Sequence, residues 1–379
     1  MAPIDIDVCE SPIFIIGSPR SGTTALAWAL NEHPDLAASD ESQILVDLFA
    51  AGNLDRNYER QGNASWLRKQ GIERSEFLAD VGIGFNRLFT KVAGGKRWVD
   101  QTPYHTVMVG WLAEMFPGAK FVHILRDGRR VVHSMINYGA RFGGKAPGAP
   151  WSASFQAACE TWVRFTRTAM DFQAAHPDRC LTIRNEDLVN DPEEGFRRLF
   201  SFLGVSDVPE AARFFSSKRI NSSFGPPGKK IGAVDTLTEP WQEWGVSRKQ
   251  TFIEVAGPTM EAYGLARPGD LALTPWEQET AAVRKVLREV VPEGARVLVA
   301  GTGGAPEVVD GRRAWEVSPL RTVGGRIPDA AEAAAAGADH LAVVGPLVRD
   351  SGGPAAVARR LGGAVVHAGD HAVVVRLGV

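Results

Sequence analysis

The chain has little cysteine, almost no net charge and no long apolar run, and each shortage closes a class of function. Three cysteines, Cys9, Cys159 and Cys180, stand scattered through 379 residues. An odd, dispersed set makes neither a disulfide framework nor a metal-ligand cluster, and it favours a reducing compartment. Lys and Arg number 42 against 44 Asp and Glu, a formal charge of -2, which leaves no electrostatic footprint for nucleic acid. No stretch approaches the roughly 18 apolar residues that span a membrane. The opening MAPIDIDVCESP is acidic and lacks the basic start and apolar core of a signal peptide. The expectation is a cytoplasmic protein with neither membrane nor nucleic-acid partner. Composition, 44% hydrophobic and 23% charged, suits a soluble enzyme. At roughly 100–200 residues per domain, two domains are expected.

What is present is concentrated in Ile13 to Thr24, IFIIGSPRSGTT. Phe14, Ile15 and Ile16 form a continuous apolar run, the mark of a parallel strand covered on both faces. Gly17 and Gly22 bound a tight loop, and TTALAWAL reads as helix. That layout turns backbone N–H groups towards an anion at a helix N-terminus. The spacing is that of a phosphate loop, G-x-x-x-x-G, without the Lys that normally follows the second glycine. Thr23 stands there, and Arg20 brings the positive charge. A second strand–turn–helix follows at Lys120 to Met135, KFVHILRDGRRVVHSM. It offers Arg126, a planar fork of donors suited to phosphate, and Ser134, a hydroxyl for a charge-assisted bond.

Both stretches resemble the sulfotransferases that use 3′-phosphoadenosine 5′-phosphosulfate (PAPS), in particular the Golgi-type and bacterial branch that includes the tyrosylprotein sulfotransferases. The resemblance covers roughly residues 10 to 265. It implies an α/β fold with a P-loop-NTPase-like parallel sheet flanked by helices. It also implies that Arg20, Ser21, Gly22, Thr23 and Thr24 hold the 5′-phosphosulfate, and that Arg126 and Ser134 hold the 3′-phosphate. Ser222 is the counterpart of a Ser that closes over the nucleotide, by a looser match. Lys229 and Lys230 either touch the 3′-phosphate or sit on a solvated loop. PAPS is then the donor, 3′,5′-ADP (PAP) the product, and no metal is implied.

The same resemblance makes Glu41 the catalytic base, since the interval from Arg20 through His33–Pro34 to Glu41 is kept without gaps. A carboxylate is a sound base where burial raises its pKa. Glu41 also suits a cap for the helix beginning near Ser42, and Asp40 and His105 are rival bases. Two departures stand out. Gln101 falls where the family often has a Lys for the leaving phosphate, so Arg20 carries that charge, or Lys96 or Arg97 reaches in, or turnover is slow. Asn185 falls where the family often has a Tyr against adenine.

Further expected elements are helices over 43–50, 104–115, 154–175, 193–203 and 252–263, and strands over 97–100 and 180–183. Residues 51–80 read as polar with helical patches, and Gly139–Pro150 as a loop that either lines the acceptor entrance or merely connects. Trp241 and Trp244 are expected to pack a lid onto the core. The sulfotransferase domain is placed at 1–270. Residues 271–379 form a smaller α/β domain, with a Thr274–Pro275 helix start and Val-rich strands at 296–300, 341–344, 364–367 and 372–377. Gly301–Thr302–Gly303–Gly304 reads there as a turn, with only a partial nucleotide-binding pattern. The expected acceptor is a small-molecule hydroxyl. The alternatives are a P-loop kinase or nucleotide hydrolase, disfavoured by Thr23, and a nucleotide-binding regulatory protein, allowed by Gln101 and Asn185.

Overall fold

A computed structural model describes residues 7–49, 58, 66–141, 150–217, 240–301, 316–319, 327, 330–335 and 337–377. They form two compact units, Met1–Pro240 with Val255–Leu265, and Trp241–Glu254 with Ala266–Val379.

The first unit is built on five parallel strands: β1 (Ile13–Ile16), β2 (Leu36–Ala38), β3 (Arg97–Asp100), β4 (Lys120–Leu125) and β5 (Cys180–Arg184). They lie in the order β2-β3-β1-β4-β5, with Phe14 opposite Asp100 and Ile16 opposite His123. Side chains of a strand alternate between faces. Ile13 and Ile15 therefore join Leu26, Leu30, Ile124 and Phe200 on one side, while Phe14 and Ile16 join Trp98, Leu112, Phe116 and Phe121 on the other. Both faces are covered, as the apolar run demanded. The chain leaves β1 for β2 and β3 on one flank and returns for β4 on the other. Its carboxyl edge between β1 and β4 is thus a topological switch point, where open α/β sheets bind ligands.

The structure departs from the sequence reading in places. The polar region holds one long helix, Arg74–Val92, longer than helical patches within 51–80. Phe77, Leu78, Val81, Phe85 and Phe89 recur at helical spacing and pack against the Phe14 face. Gly82 is required there, since a methyl would lie 1.9 Å from the Met115 carbonyl oxygen. The helix expected over 104–115 is a 3₁₀ stretch, Pro103–Met108, followed by an α-helix, Val109–Met115. Strand β2 had not been anticipated. Asp191 caps Pro192–Leu203, its Oδ1 accepting from the Glu194 N–H at 3.1 Å.

The second unit carries β6 (Arg296–Ala300), β7 (Glu316–Pro319), β8 (His340–Val344), β9 (Ala364–Ala368) and β10 (Ala372–Arg376), in the order β7-β6-β8-β10-β9. Strands β6, β7 and β8 are parallel, and β10 runs antiparallel to β8 and β9. Thr274 and Glu277 form a complete capping box for Pro275–Val290. The expected boundary at 270 stands beside a division that places 241–254 with this unit. There Lys249 Nζ meets Glu277 Oε1 at 2.5 Å, and Trp241, Trp244 and Phe252 form one aromatic cluster.

Candidate active site

The loop after β1 owes its shape to two glycines and one strained arginine. Gly17 lies at φ 152°, and a methyl there would sit 2.7 Å from the Ile124 carbonyl oxygen. Gly22, at φ 109°, is the residue before helix Thr23–Leu30, and a methyl there would sit 2.7 Å from Asn185 Nδ2. Between them Arg20 adopts φ 72°, a left-handed conformation that a side chain enters only when its surroundings hold it there. The Ser21 N–H closes back on the Ser18 carbonyl at 3.1 Å. Thr23, Thr24 and Ala25 open the helix, where N–H groups have no intrahelical acceptor. Among the described residues the other non-glycine positive φ is Gln43, at 50°, beside Glu41. Among the described residues, backbone strain thus falls on one candidate residue, Arg20, and close to another, Glu41, and composition gave no signal of it.

Strand β4 delivers the second arginine. Arg126 Nη1 donates to the Arg20 carbonyl at 3.1 Å, and the Arg126 carbonyl accepts from Trp162 Nε1 at 3.2 Å. Arg20 Nε donates to Ser134 Oγ at 3.3 Å, and its guanidinium lies 5.4 Å from the Tyr138 ring centroid. Arg20, Arg126 and Ser134 therefore form one cluster. Burial lowers the Arg20 pKa, and the neighbouring Arg126 charge adds to that effect. Two cations crowded in this way are stabilised by an anion between or beside them. Glu186 of the Glu–Asp–Leu turn braces the end of β4, its Oε1 accepting from the Asp127 N–H at 3.1 Å.

Glu41 follows β2, just before helix Ile44–Phe49. Its Oε2 accepts from Gln43 Nε2 at 2.8 Å. Glu41 is exposed as a residue, but neighbouring atoms take part of the water from its carboxyl, and that loss pushes its pKa above the usual carboxylate value. The Gln43 bond opposes the rise, Asp100 adds to it, and Arg20 and His105 counter it. Glu41 therefore lies within the field of the Arg20 cluster. His33 of the His–Pro turn is structural: its Nδ1 accepts from the Asp35 N–H at 3.1 Å and its Nε2 meets the Ser206 carbonyl at 3.0 Å.

Gln101 is buried, and its Oε1 accepts from Thr24 Oγ1 at 3.1 Å, so it is tied to the phosphate loop. The suggestion that Arg97 reaches in fails. Arg97 stands at the far end of β3 from Gln101, where it donates to Ser11 and to the Leu203 carbonyl. Lys96 precedes the same end of the strand. His105 is wholly buried and so cannot meet an acceptor as a base. Asn185 lies over Gly22. Ser222, Lys229 and Lys230 lie outside the described residues, as do residues 142–149 of the loop.

A small cleft of about 60 Å³ opens beside Ser42, lined by Ser39, Phe89, Val92, Trp98 and Asp100 among others. Among the described residues no group of three or more His, Cys, Asp or Glu side chains is placed to hold a metal, and no helix is long and apolar enough to cross a membrane.

Residues 12–210 match the model of the Sulfotransferase family. The chain belongs to this family. The resemblance read from Arg20 to Thr24 and from Arg126 to Ser134 thus holds. Protein-tyrosine sulfotransferase 1 of Danio rerio is 30% identical over 196 residues, 51% of this chain and 53% of the relative. Nodulation protein NoeE of Sinorhizobium fredii is 27% identical over 283 residues, 66% of this chain and 65% of the relative. A protein-tyrosine sulfotransferase of Drosophila melanogaster is 28% identical, with 58% of this chain and 42% of the relative covered. The chain spans about half the length of the curated relatives it matches. Among solved structures, mouse sulfotransferase SULT7A1 complexed with PAP is similar over 67% of this chain and 86% of its own, at 14% identity and TM-score 0.44.

Proposed function

We propose that the first unit transfers a sulfuryl group from PAPS to an acceptor hydroxyl. The observation that carries this reading is the convergence of Arg20, Arg126 and Ser134 at the switch point between β1 and β4, with Glu41 in the same field. Thr23, Thr24 and the loop backbone receive the 5′-phosphosulfate, and Arg126 with Ser134 receives the 3′-phosphate. Ser222 is assigned to the nucleotide by resemblance alone. Glu41 takes the proton of the acceptor hydroxyl as its oxygen attacks sulfur. The bond from sulfur to the 5′-phosphate oxygen breaks in line, and the product nucleotide leaves as PAP. Arg20 stabilises the charge that develops on the leaving phosphate, the part played in the family by a Lys where this chain has Gln101. A fixed donor of this kind is commonly worth about 10²–10³ in rate.

The acceptor approaches by the cleft beside Ser42, whose Phe89, Val92 and Trp98 lining suits an apolar group on a small-molecule hydroxyl. A protein tyrosine is the second reading, favoured by relatives that bear the name protein-tyrosine sulfotransferase. Titration calorimetry of the full chain with 3′,5′-ADP, PAPS and ATP tests the donor. Tight binding of the first two and weak binding of ATP is expected; preference for ATP would return the kinase reading. Labelled PAPS offered with hydroxylated small molecules and with tyrosine peptides then separates the two acceptors.

A further inference from the structure

The candidate base does not sit on a helix or strand. It sits on a short turn, residues 39–43, whose backbone is strained at Gln43, so something else must hold it. That support comes from the turn after β3. The Ser42 N–H donates to Thr102 Oγ1 at 3.1 Å, and the Thr102 N–H donates to Asp100 Oδ1 at 2.8 Å. His105 Nδ1 lies 2.9 Å from the same Asp100 oxygen. All of these supports are buried: Asp100 is 4% exposed, and Thr102 and His105 are 0% exposed. The His105 ring packs edge-on against Phe14 of β1, with centroids 5.5 Å apart. The chain of contacts thus runs from the central strand to the residue after Glu41.

We propose that Asp100, clamped by His105, is a positioning residue for Glu41, fixing the 39–43 turn through Thr102 and Ser42. The inference rests on Glu41 being the base. Burial works against the Asp100 charge, but His105 and the Thr102 N–H outweigh it and hold the carboxyl below its usual value. Asp100 is therefore a permanent anion near a second carboxyl. Its field favours the protonated form of Glu41, alongside partial burial. Arg20 and His105 act in the opposite sense, and the Gln43 amide bonds the charged form. The arrangement keeps the base both placed and basic. A carboxylate without Asp100 would be a weaker proton acceptor, and one without the Thr102 hydroxyl would be poorly aimed.

The test uses the full-length chain in four forms: wild type, Asp100→Asn, Thr102→Val and Thr102→Ser. Carbon-13 NMR of labelled glutamate follows the Glu41 carboxyl, its resonance assigned by its loss in Glu41→Gln, and calorimetry follows 3′,5′-ADP affinity. Labelled PAPS with the acceptor that the wild type uses gives turnover. Asp100→Asn is expected to lower the Glu41 pKa. Thr102→Val is expected to lose between about ten- and a hundredfold in kcat, as misplacement of a reacting group does. Thr102→Ser should keep near wild-type turnover because it restores the acceptor for Ser42, and 3′,5′-ADP affinity should stay unchanged throughout. An unmoved Glu41 pKa in Asp100→Asn overturns the proposal, and so does equal turnover in the Val and Ser variants. Should Asp100→Asn not fold, the Thr102 pair decides alone. If no form moves sulfuryl from PAPS, the proposed function fails, while the Glu41 titration still reports on Asp100.

Discussion

Each unit has a buried interior strand, parallel to both neighbours and followed by glycine: β1 leads to Gly17, β6 to Gly301. The difference lies in what surrounds the glycine. After β1 the chain passes through a left-handed Arg20 and a glycine at φ 109° into an eight-residue helix, and β4 alongside is followed directly by Arg126. After β8, the corresponding neighbour of β6, comes Gly345 and a helix of only five residues. Its side-chain cluster is an ion-pair knot, with Glu279 Oε1 meeting Arg349 Nη1 and His371 Nδ1, each at 3.2 Å. Among the described residues, one strand end gathers cations around a loop, while the other pairs Glu279 with Arg349 and His371. A strand followed by glycine is therefore scaffold, and the neighbouring strand end makes it a site.

The largest expected effect removes the base from the first unit. Glu41→Gln keeps size and hydrogen bonding, so donor affinity should hold while single-turnover rate falls by about 10²–10⁴. Because the Glu41 pKa is raised, wild-type turnover should climb with pH through that pKa and then level off. The sign for stability is opposite: ionising a carboxyl whose folded pKa is raised destabilises the fold. Glu41→Gln should therefore gain thermal stability over wild type as pH rises through the same range. Retention of most activity in this variant would move the base elsewhere, with exposed Asp40 next in line.

A smaller effect separates the two glycine junctions. A methyl at Gly22 meets Asn185 Nδ2 at 2.7 Å and a φ of 109° that only glycine adopts freely. Strain of this kind costs about 1–3 kcal/mol, and it falls on the donor loop. A methyl at Gly301 meets Val344 Cγ2 at 2.8 Å without a positive φ. Both alanine variants should melt lower than wild type. By calorimetry, Gly22→Ala alone should lose 3′,5′-ADP affinity. Equal losses of affinity would mean that the second junction also serves the donor.

The smallest effect is a matter of pH. His123 on β4 is fully buried, with Thr182 Oγ1 3.0 Å from its Nδ1, and burial lowers its pKa from 6.5 to about 3. A folded pKa below the unfolded one means that stability is complete above about 6.5 and falls as pH drops towards 3. On β8, His340 is also lowered by burial, though Asp339 opposes the shift. Urea melts across this range should show His123→Asn losing the acid sensitivity of the wild type, and His340→Asn losing less of it. A flat wild-type profile would contradict the burial argument.

The central parallel strand was legible because Phe14, Ile15 and Ile16 leave no polar face, and the phosphate loop because glycine spacing is a local signal. The long helix Arg74–Val92 was obscured by its polar composition, since its apolar stripe matters only against Phe14 and Trp98 across the fold. Strand β2, three residues long, is made by pairing with β3 rather than by propensity. Within the site, residue types were readable at Arg20, Glu41, Arg126 and Ser134. The union of Arg20, Arg126 and Ser134 into one cluster was not, nor was the burial of His105 against Asp100, because both depend on contacts between strand ends far apart in sequence.

The central claim is that Arg126 and the loop after β1 hold one nucleotide bearing a 3′-phosphate and a 5′-phosphosulfate. Calorimetric titration of wild type and Arg126→Ala with 3′,5′-ADP and with adenosine 5′-phosphosulfate tests it most directly. A charge-assisted bond is worth about 1.5–3 kcal/mol, so the variant should bind 3′,5′-ADP roughly ten- to a hundredfold more weakly. Its loss for adenosine 5′-phosphosulfate should be far smaller, limited to what the broken bond to the Arg20 carbonyl loosens. Equal losses for the two ligands, or no binding of 3′,5′-ADP by the wild type, would contradict it.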